Sequence, residues 1–167
     1  MIPRLAIIPL VAVGALLIAG CADAVAGTPT VAATTSAPAV SASINPCALL
    51  TSSDIQHLGV ASRGPDALGG SRGCSWLKTG QYNVGFSVWD HLGIDQMNSG
   101  GNPITNHRVG SHDGRQFEGA DGGCFVAMAI TSTSSIDVSV GGDPSVECQL
   151  ADQFALLIEP RLPAEQN

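Results

Sequence analysis

The chain opens with an apolar run that differs sharply from everything after it. Residues 1–4 supply one basic side chain, and residues 5–19 contain no charged or strongly polar side chain. This run of roughly fifteen residues is shorter than the ~20 that a helix needs to span a bilayer. A basic start, an apolar middle and a small-residue end are typical of a secretory signal peptide.

Cys21 follows this leader in a pattern that predicts lipidation. Ile18, Ala19 and Gly20 place one aliphatic and two small residues directly before it. The maturation enzymes need a thiol to carry diacylglycerol and small flanking side chains to fit the peptidase. The alternatives are an ordinary signal peptide with a chance cysteine, or an uncleaved anchor. We predict a signal peptide over residues 1–20 and a lipid anchor, with acyl chains such as palmitate, on Cys21.

The next segment, residues 21–44, is almost entirely Ala, Thr, Ser, Val, Pro and Gly. Such a composition buries too little apolar area to offset the entropy of ordering the chain. We predict a flexible tether here, followed by one extracytoplasmic domain over residues 45–167.

The domain begins with a helix signal. Thr51 and Asp54 have the spacing of a capping box, Ile55 and Leu58 are expected to face inward, and Gly59 is expected to end the helix.

Strand signals follow. Large apolar residues alternate over residues 82–88, which predicts a half-buried strand, and a further strand is expected at 115–117. Residues 124–130 are apolar on both sides, as in a strand covered on each face. Apolar residues at 136, 138 and 140 alternate with Asp137 and Ser139, which predicts a strand with one face in solvent. This strand is expected to form a hairpin with the strand at 124–130.

A second helix is predicted near the end of the chain. Asp143 and Pro144 resemble a helix start, apolar residues recur at helical spacing from Cys148 to Leu162, and Pro160 ends or kinks the helix. Residues 90–108 are read as a long excursion with a helical part near Ile94. The order predicts an α+β fold, with an antiparallel sheet and N- and C-terminal helices packed mainly on one face.

Four cysteines follow Cys21, and in an exported chain they predict disulfides. Four cysteines allow three pairings, and we favour Cys47–Cys74 and Cys124–Cys148 because each closes a short loop. A zinc site is the rival interpretation, but no two cysteines have the close spacing of zinc ligand pairs.

The charge of the chain bears on its partners. Once Arg4 leaves with the leader, six basic residues face fourteen acidic ones, a net charge of about −8, and Lys78 is the only lysine. Such a surface repels phosphate backbones, so nucleic-acid binding is not expected.

These elements resemble a known family. The segment Asn45-Pro46-Cys47-Ala48-Leu49-Leu50-Thr51, the Cys74-Ser75-Trp76 element and the late Cys148 in a helix are similar to the DUF3558 family of actinobacterial, often mycobacterial, cell-envelope lipoproteins. The resemblance implies location and architecture, and it carries over no catalytic residue. For Trp76, a core aromatic covering the Cys47–Cys74 bridge is favoured over a ligand-stacking residue.

Candidate catalytic and metal-binding groups give no pattern that points to chemistry. The four histidines lack the i, i+4 spacing of a helical metal site, and the two carboxylate pairs Asp90/Asp95 and Glu118/Asp121 could meet only through the tertiary fold. The histidines are expected to be solvated loop residues rather than ligands. The histidines are His57, His91, His107 and His112.

We therefore expect a non-catalytic binding or interaction module at the membrane surface, with no cofactor or metal. Its partner would be another envelope protein or a cell-wall component. The alternatives are a carrier of a lipid or other apolar ligand, or an envelope enzyme.

Overall fold

The computed structural model describes residues 39–67 and 69–166, which form a seven-stranded sheet with helices on one side. The predicted signal peptide, Cys21 and most of the predicted tether lie outside the described residues. The strands are β1 (Ala61–Asp66), β2 (Arg72–Lys78), β3 (Tyr82–Trp89), β4 (Ile104–Val109), β5 (His112–Glu118), β6 (Cys124–Thr131) and β7 (Ser134–Gly141). The helices are α1 (Ser52–Leu58) and α2 (Glu147–Ile158), with short 3-10 turns at Val40–Ser43, Pro46–Ala48, Ile94–Gln96 and Glu159–Arg161.

The sheet has the strand order β1-β2-β3-β7-β6-β5-β4, and each neighbouring pair is antiparallel. Each half is a meander of hairpins, and the pairing of β3 with β7 joins the halves at the centre. This confirms the predicted antiparallel α+β architecture.

One face of the sheet carries the main core. Alternate residues of the central strands point to this face and are fully buried, and α2 packs across β6 and β7 while the Pro46–Ala48 turn packs on β2 and β3. The prediction that the helices lie on one face is confirmed. The largest buried side chains are Trp76, Phe86, Met128, Ile130, Ile136 and Ile158.

Both predicted disulfides are present. Cys47 is bonded to Cys74, and Cys124 is bonded to Cys148, with Cα atoms 5.0 and 4.9 Å apart. The first joins the 3-10 turn before α1 to β2, and the second joins the start of β6 to the first turn of α2. Each bridge therefore ties the helical layer to the sheet.

The opposite face of the sheet is also covered, which corrects one prediction. Asp137 was expected on a solvent face of β7, but only 4% of it is exposed. The excursion after β3 lies over this face, since Ser135 donates a hydrogen bond to the carbonyl of Leu92 and Arg115 forms an ion pair with Asp95. The apolar character of β6 on both sides, noted in the sequence, reflects the same second layer.

The remaining differences from the predicted elements concern three strands and the start of α2. β1, β2 and β4 were not predicted, and β4 occupies part of the segment that was read as excursion. The helix after β7 begins at Glu147, because the Asp143 carboxylate accepts hydrogen bonds from the Ser145 N–H and hydroxyl in a turn of its own. Pro160 follows the end of α2, as expected.

The two ends of the described domain lie at the same end of the sheet, which we call the entry end. Arg72, at the start of β2, donates hydrogen bonds to the carbonyls of Ser41 and Ile44, and Gln166 donates one to the carbonyl of Ile130. Packing therefore already includes residues 40–44, ahead of the expected domain start at residue 45. The other end, with the β2–β3 turn and the β7–α2 connection, is the far end.

Candidate functional site

A groove of about 630 Å³ opens at the far end of the sheet, on the helical side. It lies between the C-terminal end of α1, the exposed side of α2 and the β2–β3 turn. Four clefts elsewhere on the described surface are smaller, between 330 and 420 Å³. The groove is lined by Leu58, Lys78, Gly80, Gln81, Tyr82, Asp143, Val146, Gln149, Leu150, Gln153, Phe154 and Leu157.

The β2–β3 turn sets one wall of the groove. Only three residues join the strands, and Gly80 takes the left-handed conformation (φ 74°) that such short hairpin loops require. The turn makes Lys78 and Tyr82 direct cross-strand partners. The Lys78 ammonium consequently lies 5.7 Å from the centre of the Tyr82 ring, within cation–π range.

The floor of the groove is aromatic and belongs to the core. Tyr82 and Phe154 meet edge to face at 5.9 Å between ring centres, and Phe154 meets Phe86 at 6.3 Å. Burial raises the pKa of the Tyr82 phenol, because the phenolate would lose hydration. The floor is therefore rigid and apolar.

One stripe of α2 forms the opposite wall. Val146, Gln149, Gln153 and Leu157 follow one another at intervals of three or four residues, which places them on the same side of the helix. Val146 is 38% exposed. This wall thus combines apolar and amide side chains, and Val146 faces the groove without a covering element in the described structure.

A buried carboxylate lies on the other face of the sheet. The carboxylate of Asp137 accepts hydrogen bonds from the indole N–H of Trp89 and from Ser87, its cross-strand neighbour. Burial raises the pKa of Asp137 to about 6, against the lowering effect of these two donors. Asp137 lines none of the five clefts described above and is almost fully buried, so we treat it as part of the packing.

The four histidines are separated by the fold. His57 and His91 are exposed, His107 Nε2 lies 2.9 Å from the Asp152 carboxylate on α2, and His112 is buried. In the ranges that the structure describes, no three His, Cys, Asp or Glu side chains come together in a way that could hold a metal ion.

Ser111, His112 and Glu159 come together at the β4–β5 turn, but not as a catalytic triad. The Ser111 hydroxyl and N–H both donate to Glu159 Oε1, at 2.7 and 2.9 Å, and His112 Nδ1 lies 3.1 Å from the same oxygen. His112 Nε2 faces the carbonyl of Pro163 at 2.9 Å. In a triad the serine would face the nitrogen opposite the carboxylate. Here every group instead ties the C-terminal segment to the turn.

The candidate carboxylate pairs do not form. Asp90 binds Arg72 while Asp95 binds Arg115, so each aspartate has a different basic partner. The Arg72 guanidinium beside Asp90 holds the pKa of that carboxyl below its usual value. Glu118 and Asp121 are both exposed and share no hydrogen bond in the described structure.

Trp76 belongs to the core, as favoured from the sequence. It is 1% exposed and packs against Phe86 with 4.9 Å between ring centres. Its position leaves no face for an external ligand to stack on.

Gly69-Gly70-Ser71-Arg72-Gly73 matches the spacing of a nucleophile elbow. An elbow turns from a strand into a helix and exposes its serine. Ser71 instead lies between β1 and β2 and is 4% exposed. The local structure therefore does not present Ser71 as a nucleophile.

A family model described as a protein of unknown function, DUF3558, matches residues 16–161, which is most of the chain. The chain belongs to the DUF3558 family. No curated protein and no solved structure matches it. The DUF3558 match covers both disulfides, α1, α2 and all seven strands. Within the part of the protein that the structure describes, no helix is long and apolar enough to cross a membrane.

The groove of this DUF3558 protein was not predicted from its sequence. Its walls come from α1, the β2–β3 turn and α2, which are far apart along the chain. The available signals were the single lysine and the apolar residues of α2 beyond those needed for the core, but neither indicates that they meet.

Proposed function

We propose that this DUF3558 protein is a lipoprotein, anchored by Cys21 at the extracytoplasmic face of the cell membrane, whose domain is a non-catalytic binding module. The far-end groove is the proposed binding site. The observation that carries this proposal is an open groove of about 630 Å³ with an apolar floor and a polar rim. Ligand sites in proteins have this size and this mixture of surfaces.

The anchor is supported by residues close to the leader. Ile18, Ala19 and Gly20 precede Cys21 in the lipoprotein pattern, and the family match begins at residue 16, so it includes this pattern. Disulfides are typical of exported domains, and the two bridges fit an extracytoplasmic location.

A binding role rather than catalysis is supported by the structural roles of the buried and clustered polar side chains. The bonds of Ser111, His112 and Glu159 hold a turn to the C-terminal segment, and Asp137 is enclosed within the sheet packing. The groove, by contrast, presents the exposed side chains of Gln149 and Gln153 above a floor of core residues. A partner in the envelope or a cell-wall component is therefore proposed to bind there.

The carrier function remains the second candidate. A carrier encloses its apolar cargo, whereas this groove is open along one side and is floored by side chains of the core. Binding of an exposed segment or small molecule fits this shape better than enclosure of a whole lipid.

The anchor is tested by labelling producing cells with an alkyne-bearing fatty acid. The wild-type chain is expected to incorporate the label and to stay with membranes, whereas Cys21→Ser is expected to do neither, because no other residue provides the thioether. Labelling of the variant at the wild-type level would refute the anchor.

The binding site is tested with a photo-cross-linking amino acid placed on the full chain. Gln149 on the groove wall is the test position, and Gln56 on the exposed side of α1 is the matched control. Irradiation of producing cells is expected to give one defined adduct from position 149 and none from position 56. Equal adducts from both positions, or none from either, would contradict a binding role for the groove.

A further inference from the structure

We infer that the groove binds an amphipathic anion, with its apolar part on the floor beside α2 and its anionic head at Lys78. This inference rests on the proposed binding function and specifies the class of ligand. It follows from the apolar wall, the charge of Lys78 and the uncommitted amides of the rim.

The apolar part of the site is supplied from two elements. Leu58 at the end of α1 and Leu150 and Leu157 on α2 are half-buried, so each presents apolar surface to the groove while its remainder packs on the core. Contact with an apolar ligand would remove this surface from water, which is favourable in proportion to the area covered.

Lys78 gives the site its charge preference. The chain has seven basic and fourteen acidic residues, yet its single lysine lines this groove. In the described structure Lys78 has no ion pair, and its ammonium lies over the Tyr82 ring. An ammonium held beside apolar surface attracts an anion more strongly than one surrounded by water, because the local dielectric constant is lower.

The acidic residue of the groove is already engaged. The Asp143 carboxylate accepts hydrogen bonds from the Ser145 N–H at 3.0 Å and the Ser145 hydroxyl at 2.8 Å. These donors lower the pKa of Asp143 and hold its carboxylate within the turn before α2. The ionised Asp143 carboxylate is thus held at the turn before α2, and Lys78 is the basic group of the groove lining.

The rim carries neutral groups suited to a polar head. Gln81, Gln149 and Gln153 line the groove, and their side-chain amides make no hydrogen bond to other described residues. Primary amides donate and accept, so they complement carboxylate or phosphate oxygens around Lys78 without adding charge.

The test uses the full chain in small lipid nanodiscs with leucine methyl groups labelled with ¹³C. Leu58, Leu150 and Leu157 report on the groove, and the exposed Leu156, which does not line the groove, reports on nonspecific contact. The probes are decanoate, decyl phosphate, decyltrimethylammonium and decyl glucoside, which differ only in their heads. Empty nanodiscs correct for partitioning into lipid.

Decanoate or decyl phosphate is expected to shift the three groove methyl signals saturably and to leave Leu156 unchanged. Carboxylate binding alone indicates a fatty-acid type of ligand, and binding of both indicates a phosphorylated head as well. Lys78→Gln is expected to weaken binding roughly tenfold, the value of one charge-assisted hydrogen bond. Lys78→Arg is expected to retain it, and Arg63→Gln, which removes an exposed charge on β1, is expected to change nothing.

Equal affinity for the trimethylammonium probe, or unchanged affinity in Lys78→Gln, would overturn the inference. The absence of any shift in the three groove methyl signals would overturn the inference as well. A defined adduct from position 149 alongside such a result would leave the binding function standing with a different ligand, so the two failures are distinguishable.

Discussion

Asp137 lies in the middle of the sheet, on the face covered by the excursion after β3, where its carboxylate accepts hydrogen bonds from Trp89 and Ser87. Desolvation outweighs these donors and raises its pKa from 3.8 to about 6. The folded protein therefore binds a proton here more tightly than the unfolded chain does. This contribution to stability is complete below the unfolded pKa and is lost as the pH rises through the folded pKa.

We predict that Asp137→Asn removes this loss of folding stability at high pH. The amide keeps an acceptor for Trp89 but never ionises, so the free energy of unfolding of the variant should exceed that of the wild type by up to about 3 kcal/mol above pH 7 and converge with it near pH 4. Urea denaturation across this pH range measures the difference. Asp113→Asn at an exposed ion pair is the control, and a difference independent of pH would show that ionisation is not the cause.

Glu159 has the opposite dependence on pH. Hydrogen bonds from the Ser111 N–H and hydroxyl lower its pKa, with a smaller contribution from His112. Its stabilising effect is therefore present above the unfolded pKa of 4.5 and is lost as the pH falls through the lower folded value.

Glu159→Gln is accordingly expected to lower the free energy of unfolding by about 1–2 kcal/mol at pH 7, with a smaller loss in acid. Chemical denaturation at several pH values measures this loss. Glu118→Gln on the exposed edge of β5 is the matched control and should have no comparable effect. A Glu159 variant as stable as the control would show that this anchor between the C-terminal segment and the β4–β5 turn contributes nothing.

At the scale of elements, Arg72 bonds the segment at residues 41–44 to the start of β2. Arg72 donates to the carbonyls of Ser41 and Ile44 at 2.9 and 2.7 Å, and it also bonds both oxygens of Asp90. Ser41 in turn donates to Asp90 at 2.7 Å. The planar guanidinium makes these contacts together, which a lysine ammonium cannot do.

We predict that Arg72→Lys loosens residues 40–44 without unfolding the sheet. Its side chain is 40% exposed, so the loss of stability should be modest, on the order of 1 kcal/mol. Hydrogen exchange should become faster for the Val40–Ser43 turn and stay unchanged in β6 and β7. Arg63→Lys, on an exposed part of β1, should leave all these rates alone, and identical exchange in both variants would refute the role of Arg72.

The elements that could be predicted from the sequence are those with strong local signals. The capping box of α1 forms as predicted. The Thr51 N–H donates to the Asp54 carboxylate, and the Asp54 N–H donates to the Thr51 hydroxyl oxygen. β3 and β6 have clear apolar patterns. β1 and β4 lack such patterns because they are exposed edge strands, and Pro65 is tolerated in β1 for the same reason.

What could not be predicted depends on contacts between distant segments. The burial of Asp137 requires the excursion to fold over β7, and the groove requires α1, α2 and the β2–β3 turn to meet. A polar residue that alternates with apolar ones predicts a solvent face unless a second layer covers it. The two-sided apolar pattern of β6 was the one local sign of that layer.

At the scale of the molecule, the two disulfides link the helical layer to the sheet across short stretches of chain. The bonded residues are separated by 27 and 24 positions, and closing loops of this length reduces the entropy of the unfolded chain. The two bridges tie different helical segments to different strands, so their effects are expected to be largely independent.

Replacing either pair of cysteines with alanine should lower the free energy of unfolding by ~3–4 kcal/mol. Denaturant titration of the two double variants measures each loss separately. Replacing Ala48 with serine near the first bridge is a control for local change. A pair whose removal leaves the denaturation midpoint unchanged would not be a stabilising bridge.

The two ends of the described domain lie opposite the groove, which has a practical consequence for reporter design. β2 runs from the entry end at Arg72 to Lys78 at the groove, a span of roughly 20 Å for seven residues of strand. A fluorescent protein or a sensor chip joined near residue 39 or residue 166 therefore lies at the entry end, away from the groove. Fusions at either end of the described domain should leave the groove unobstructed, and titrations on immobilised protein should report the intrinsic affinity of the groove.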